Sequence, residues 1–292
     1  MMAAAQAVRS VIEYPAQESM VRIVAIIPAR MGSSRFPGKP LTPLLGRPMI
    51  EHVFWRAMLC DVLDEVYVAT CDEEIRVVVE GFGGRVLLTS AAHERASDRV
   101  AEAVEIIKAE HQRADIVVMI QGDEPMITPD MIAAALDPMR SDPTVSCVNL
   151  VRRIVGRAEF VDPNTIKVVM NSRNEALYFS RAPIPAIDFA HDFSVSANGC
   201  APLFKQVCVI PFRRNFLHEF ARQSPTSLER TESIDMLRVI EYGGSVRLVE
   251  TDVDTHAVDT AEDLALVEAL MKHDPLLLQY GEPMGRGARG RL

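Results

Sequence analysis

The chain has 292 residues, 48% of them hydrophobic and 24% charged, with one Trp and a formal net charge of −9. That is the composition of an ordinary soluble globular protein, long enough for one large α/β domain or a domain with a sizeable elaboration. The negative charge argues against non-specific binding to nucleic acid or to an anionic membrane surface, because both need a broad cationic face.

Residues 1–20 include Arg9, Glu13 and Glu18 and have no sustained apolar core, so they do not read as a secretory signal; with Met20 just before the first strand, they read as a loose extension or as an upstream start. Residues 23–27 read as a strand, 48–59 as a helix and 65–70 as a second strand. A helix over 73–80, an extended run over 85–89, a helix over 97–110 and a strand over 115–121 follow. Thr128, Pro129 and Asp130 start the next helix, Thr as the cap and Pro in the first turn. This βαβα alternation predicts a mostly parallel sheet covered by helices on both faces, which binds ligands beyond the carboxyl ends of its strands.

From about residue 145 the pattern changes. Runs 145–151, 165–170, 176–180 and 206–212 read as extended, and 182–202, rich in Pro, Ala and Ser, as an irregular loop bordering a site. Helices over 213–223 and 227–242, a strand over 246–249 and a helix over 260–272 complete the folded part, and 273–292 reads as a loose tail. No apolar run approaches the ~20 residues that cross a bilayer, so the expectation is a cytoplasmic protein. The five cysteines, Cys60, Cys71, Cys147, Cys200 and Cys208, form no C-x-x-C pair and read as free thiols. None of the seven histidines stands in an H-E-x-x-H pattern, which argues against a zinc hydrolase.

The loop after the first strand concentrates positive charge in an otherwise acidic chain. Arg30, Arg35 and Lys39 suit phosphate oxygens, Ser33 adds a hydroxyl, and Gly32 and Gly38 let backbone approach an anion closely. It is not a Walker A loop: five residues separate the two glycines, and Pro40 stands where Ser or Thr would meet magnesium. A polyphosphate site reads better than a solvated basic turn. Gln121-Gly122-Asp123-Glu124-Pro125 puts a carboxylate at another strand end, where Asp123 reads either as a hard ligand for Mg²⁺ or as a turn or capping residue. Asp259 reads as a second ligand or as the cap of the last helix. Ser97 and Asp98 start a helix and would serve as caps. Arg181 reads as a surface cation or a carboxylate binder, and Glu229 and Glu232, on one helical face, as acceptors of substrate hydroxyls or as solvated groups.

Seven motifs together resemble the sugar-acid cytidylyltransferases, and within them those acting on 3-deoxy-manno-octulosonate (Kdo). They are IIPARMGSSRFPGKPL over 26–41, PMIEHV over 48–53, VATCD over 68–72, QGDEPMI over 121–127, NTIKVV over 164–169, ALYFSRAPIP over 176–185 and VDTAED over 258–263. The resemblance implies an α/β Rossmann-like nucleotidyltransferase fold over 21–272, with a smaller dimerisation and sugar-binding portion over about 150–245, and a homodimer. It also implies CTP and a sugar acid as substrates and Mg²⁺ as cofactor. The reaction would transfer CMP to the anomeric hydroxyl of the sugar acid, with release of pyrophosphate, for lipopolysaccharide or surface-glycan synthesis. By the same resemblance Arg30, Ser33, Arg35 and Lys39 hold the triphosphate, and Asp123 and Asp259 hold magnesium. Gln121 lies at the nucleotide–sugar junction and Ser97 near cytosine or ribose, while Arg181, Gln206, Glu229 and Glu232 face the sugar acid.

The chain departs from that family in its sugar half. Gln206, Cys208, Ile210 and Phe212 replace a His-x-Gly-x-Tyr-x-Tyr pattern, Asp235 and Met236 stand in a Glu-Gln-Leu-Arg motif, and Arg95-Ala96-Ser97-Asp98-Arg99 stands for Ser-Gly-Thr-Glu-Arg. Another acceptor, an amino-Kdo or a nonulosonate such as N-acylneuraminate, is therefore the alternative within the same chemistry. A nucleotide-binding protein without turnover is the competing class, and the presence of Arg30, Lys39, Asp123 and Asp259 together argues against it.

Overall fold

The computed structural model describes residues 21–32, 36–110, 113–187 and 202–280. The first half runs β1 (Ile23–Pro28), a 3-10 turn (Lys39–Leu41), a small ribbon of β2 (Pro43–Leu44) and β3 (Arg47–Pro48), α1 (Met49–Met58), β4 (Glu65–Thr70), α2 (Glu73–Gly81), β5 (Val86–Leu88), α3 (Ala96–Ala109), β6 (Ile116–Ile120) and α4 (Pro129–Ser141). The second half runs β7 (Val148–Arg153), α5 (Arg157–Val161), β8 (Lys167–Met170), β9 (Ala176–Ser180), β10 (Phe204–Val207), β11 (Val209–Arg213), α6 (Arg214–Arg222), α7 (Ser227–Glu232), α8 (Met236–Glu241), β12 (Arg247–Glu250), α9 (Ala261–Met271) and α10 (Leu277–Tyr280).

The first sheet has the order β11-β6-β1-β4-β5, parallel except where β11 runs against β6. Every residue of β1 is buried, as a central strand covered on both faces requires. Its side chains alternate: Ile23, Ala25 and Ile27 pack with α1, α2 and α4, whereas Val24 and Ile26 pack with α3. Each buried Ile or Val among them contributes about 1.5–3 kcal/mol, and a one-residue slip would hand every side chain to the wrong layer. From β1 the chain goes first to β4 on one side and later to β6 on the other. The exits of β1 and β6 therefore flank the switch point where open parallel sheets take their ligands.

The second sheet, β12-β7-β10-β8-β9, is antiparallel apart from the β12–β7 pair. The run read as one strand over 206–212 is two strands in two sheets. Gln206 pairs with Val151 in β7 and Val209 with Ile120 in β6, so the chain changes sheets at Cys208. The helix read over 227–242 is also broken. Ser233 has φ 58°, the left-handed conformation that ends α7 before α8 begins.

The segment after His273, read as a loose tail, is tied down as far as Tyr280, and residues beyond 280, like 1–20, lie outside the described part. Asp274 pairs with the buried Arg56 of α1, whose Nε donates to Tyr280 Oη at 2.9 Å. His52 Nε2 lies 2.7 Å from the Leu44 carbonyl, which only accepts, so Nε2 carries the proton. Nδ1 then accepts the Tyr280 hydroxyl at 3.1 Å, and the chain Arg56–Tyr280–His52–Leu44 runs in one donor direction. A short apolar segment followed by Gly, Pro and Arg carries no periodic signal, which is why this docking is invisible in the sequence.

Replacing Arg56 with Met strands the Asp274 carboxylate and removes one donor to the Tyr280 hydroxyl, and should cost about 3–5 kcal/mol in urea unfolding. Replacing Arg76, which is paired with Glu73 and Glu80 on the exposed side of α2, should leave the midpoint unchanged. Burial, with help from the Arg56 and Arg47 charges, lowers the His52 pKa from 6.5 to about 4. The unfolded chain then binds a proton that the folded chain refuses between those values. Stability is complete above pH 6.5 and falls as the pH drops towards 4, by about 3 kcal/mol in all. A His52 imidazole that titrates near 6.5 by NMR would contradict the donor chain.

Candidate active site

Three stretches far apart in sequence meet at the exits of β1 and β6. Backbone sets the frame. Met31 N–H donates to Asp72 Oδ2 at 2.7 Å, Gly38 N–H to the Met31 carbonyl at 3.1 Å, and Gly38 takes φ +72° where the loop reverses into Lys39. Gly122 lies so close to the β1 exit that a Cβ there would sit 3.3 Å from the Pro28 carbonyl and 3.2 Å from Ile50 Cδ1. Any larger residue would push Asp123 away from the opening loop.

Lys39 Nζ lies 2.7 Å from Asp123 Oδ2 and 3.0 Å from Asp259 Oδ1. Burial by itself lowers the lysine pKa, but the two carboxylates outweigh it and hold the ammonium above its ordinary value. The capping alternative is answered by neighbouring residues, while Asp123 does lie in a turn after β6. Thr128 caps α4, its hydroxyl accepting from Met131 N–H at 3.3 Å. Thr260 caps α9 through a reciprocal box with Asp263, at 3.1 and 2.8 Å. Neither helix is capped by Asp123 or Asp259, and both carboxylates pair with Lys39. Val258 N–H donates to the Asp123 carbonyl at 2.9 Å, and Val258 is buried with Leu44, Met49, Val267 and Met271, which locks the two acidic segments together.

A cleft of about 1070 Å³ opens beside this cluster and joins a lobe of about 490 Å³. Arg30, Arg95, Gln121, Asp123 and Arg181 line both. Lys39, Gly122, His93 and Arg99 belong to the smaller lobe, while Gln206, Cys208, Ile210, Met236 and Asp259 line the larger one. Ser33 and Arg35 lie outside the described residues.

Of the other expected contacts, Gln206 reaches the cleft but gives Nε2 to the buried Asn149 Oδ1 at 2.6 Å. Arg181 reaches it on a fixed backbone: Glu232 accepts its N–H at 2.8 Å, and Lys167 Nζ donates to its carbonyl at 2.6 Å. Three expected contacts are wall rather than surface. Ser97 is fully buried and donates to Asp235 Oδ2 at 2.7 Å; it neither caps α3 nor faces the cleft. Glu229 is fully buried, with Arg238 Nη2 and Nε at 2.6 and 2.8 Å, and Arg238 also holds Asp98 at 2.9 Å. The two acids hold the Arg238 charge firmly in place. Glu232 spends its carboxylate on Ser180 Oγ at 2.6 Å and on the Arg181 backbone. Glutamates on short, interrupted helices look identical in sequence whether they turn inward or outward, hence the misreading.

Residues passed over in the sequence complete the site. Arg95 enters the cleft with Nη1 2.7 Å from Ser233 Oγ. Glu124 is buried beside Asp123, accepts from Thr255 Oγ1 at 3.0 Å, and is pushed up to about 7 by burial and the Asp123 charge. Lys205 donates to Glu159 at 2.6 Å. The signal for Glu124 was present as an acid next to Asp123 in an apolar context; those for Arg95 and Lys205 depend on tertiary pairing.

Two converging carboxylates with hard oxygens fit Mg²⁺, which takes one or two protein carboxylates and completes its shell with phosphate and water. No group of three or more His, Cys, Asp or Glu that could hold a metal ion exists among the described residues. No helix among the described residues is long and apolar enough to cross a membrane.

Residues 24–266 match the family model for cytidylyltransferases. The chain is 43% identical over 256 residues to a 3-deoxy-manno-octulosonate cytidylyltransferase of Geobacter metallireducens, covering 86% of this chain and 99% of the relative. A protein with the same description from Syntrophotalea carbinolica is 43% identical over 251 residues, covering 86% and 98%. Among solved structures, a CMP:2-keto-3-deoxy-manno-octonic acid synthetase complexed with CTP superposes with a TM-score of 0.75 at 39% identity, covering 86% of this chain and 98% of that one. A strand-exit anion loop, two carboxylates at the sheet's switch point and this likeness over nearly the whole described chain have one reading: the chain belongs to the cytidylyltransferase family, in the branch of the 3-deoxy-manno-octulosonate cytidylyltransferases.

Proposed function

We propose that this protein transfers the cytidylyl group of CTP to the anomeric hydroxyl of Kdo, with Mg²⁺ as cofactor and pyrophosphate as leaving group. The observation that carries the reading is the meeting of Lys39, Asp123 and Asp259 at the junction of the two lobes. The smaller lobe takes the nucleotide, whose triphosphate is held by Arg30, Lys39, Ser33 and Arg35. The sugar acid lies in the larger lobe, its carboxylate towards Arg181, with Gln206 offering Oε1 to a hydroxyl. Gln121 stands between them, where the attacking hydroxyl meets the α-phosphorus.

In this arrangement the protein acts mainly by positioning and by charge. Phosphoryl transfer spreads negative charge over oxygens, and fixed cations around a low-dielectric cleft stabilise that charge more than they stabilise the ground state. Arg30 and Lys39 neutralise the leaving pyrophosphate. Asp123 and Asp259 would hold Mg²⁺, which when bound supplies Lewis-acid charge that polarises phosphate oxygens and acidifies a bound hydroxyl. Ser97, Glu229 and Glu232 contribute at one remove, by fixing Asp235, Arg238 and the Ser180–Arg181 strand end respectively. The family likeness also supports a homodimer, and the substrates suit a cytoplasmic reaction.

A second reading keeps the chemistry and changes the acceptor. Cys208, Ile210 and Met236 line the larger lobe and offer no hydroxyl or amide to a polyhydroxylated sugar. A site that lacks a hydrogen-bond partner for a given hydroxyl discriminates differently among acceptors.

Pyrophosphate release measured with CTP, Mg²⁺ and separate sugar acids (Kdo, an amino-Kdo, N-acylneuraminate) tests both. Turnover with Kdo as the best acceptor is the expected result; a better rate with another sugar acid selects the second reading, and CTP binding without release for any acceptor refutes transfer. Asp123→Asn and Asp259→Asn should each keep the native circular dichroism spectrum and lose about 10²–10³-fold in kcat. Near-normal turnover in both variants would remove the metal assignment.

A further inference from the structure

Lys39 has two roles that its single ammonium cannot fill at the same moment. In the proposed reaction it serves the triphosphate. In the structure its Nζ is held between Asp123 Oδ2 at 2.7 Å and Asp259 Oδ1 at 3.0 Å, with the side chain only 11% exposed. Those are the same oxygens that would hold the divalent cation. Two carboxylates this close repel each other and need a counter-charge, and one ammonium supplies half of it. A divalent cation on the same pair would face the ammonium across a few ångströms in a partly buried site, where like charges repel strongly. The lysine is built to leave. It is the first residue of the Lys39–Leu41 turn, its stem is four methylenes long, and its backbone is anchored independently of its head group: its N–H donates to the Phe36 carbonyl at 3.2 Å and its carbonyl accepts from Thr42 N–H at 3.1 Å.

We propose that Lys39 is an exchangeable counter-cation: it neutralises the Asp123–Asp259 pair until a divalent cation takes those oxygens, and its displaced ammonium then moves to the triphosphate, so that metal and CTP favour each other's binding. The inference rests on the cytidylyltransferase reading for its second half and on the carboxylate pair alone for its first. Coupling of this kind is reciprocal, so whatever factor the cation adds to CTP affinity, CTP returns to the cation.

Lys39 can be followed in the unaltered protein by trace acylation with an N-hydroxysuccinimide ester, read by mass spectrometry. Mg²⁺ alone should raise the Lys39 labelling rate about fivefold or more, and adding a non-hydrolysable CTP analogue should bring it back down. Protection of Lys39 by Mg²⁺, or no change, overturns displacement; a rise that the analogue does not reverse overturns delivery to the triphosphate. Calorimetry with Mn²⁺ gives a readout that needs no turnover: Lys39→Met, checked for native circular dichroism, should bind Mn²⁺ about tenfold more tightly than the unaltered protein and bind the CTP analogue more weakly. Equal or weaker Mn²⁺ binding by a folded Lys39→Met protein also overturns the proposal. The transferase reading stands or falls separately, on pyrophosphate release.

Discussion

Two carboxylates that repel each other, Asp123 and Asp259, are held within reach of one ammonium, and much of the architecture serves that placement. The parallel pairing of β1 with β6 brings the Lys39 loop and Asp123 to one edge of the sheet. Asp259 arrives from the far end of the chain and has to be fixed by other means. Its segment is pinned by the Val258–Asp123 backbone bond, by burial of Val258, and by a helix cap supplied by Thr260 in its place. The C-terminal docking of Asp274 and Tyr280 onto α1 closes the same corner from outside. Hydrophobic burial supplies the free energy that keeps like charges adjacent, and the charges supply the chemistry.

The opposite wall of the cleft is held by buried ions. Arg238 reaches Glu229 and Asp98, Ser97 reaches Asp235, and Arg95 reaches Ser233. These bonds join α3 to the α7–α8 pair. A buried ion cluster of this kind adds little net stability compared with an apolar core, because desolvation consumes most of the Coulomb gain. What it supplies is direction: each charge accepts only one arrangement of its partners. The wall that carries Arg95 into the cleft is therefore set more by electrostatic complementarity than by packing.

The first sheet was legible in the sequence because its physics is local. A central strand such as 23–27 needs an unbroken apolar run, and its helices need a face of apolar residues; both patterns survive in one dimension. The loop with Arg30 and Lys39 stood out as local charge, whereas Asp123 and Asp259, read singly, were equally legible as turn or capping residues, and their meeting on Lys39 appears only in three dimensions. Three further features were not legible. The break at Cys208 depends on which sheet each neighbour joins, the break at Ser233 on one left-handed residue without the usual glycine, and the docking of Tyr280 on partners more than two hundred residues away. The inward turn of Glu229 belongs with them. Its partner, Arg238, lies on the next helix, and only the break between the helices lets the two face each other.

The seam at Cys208 also explains why the two ends of the cleft differ in how firmly they are built. Its carbonyl accepts the Gln121 N–H at 3.1 Å, so its backbone belongs to the junction of the two sheets. Its side chain, with those of Ile210 and Met236, lines the larger lobe. The frame of the smaller lobe is set by backbone: strand exits, Gly38, and the close approach of Gly122 to Pro28. Exchanging side chains moves such a frame little, and the Lys39 and Asp123 charges stand on it. The larger lobe is lined at the seam by side chains standing on a fixed backbone, where exchange alters chemistry without moving a strand. Under the proposed function, one fold would thus keep its nucleotide and change its sugar through the side chains at the seam.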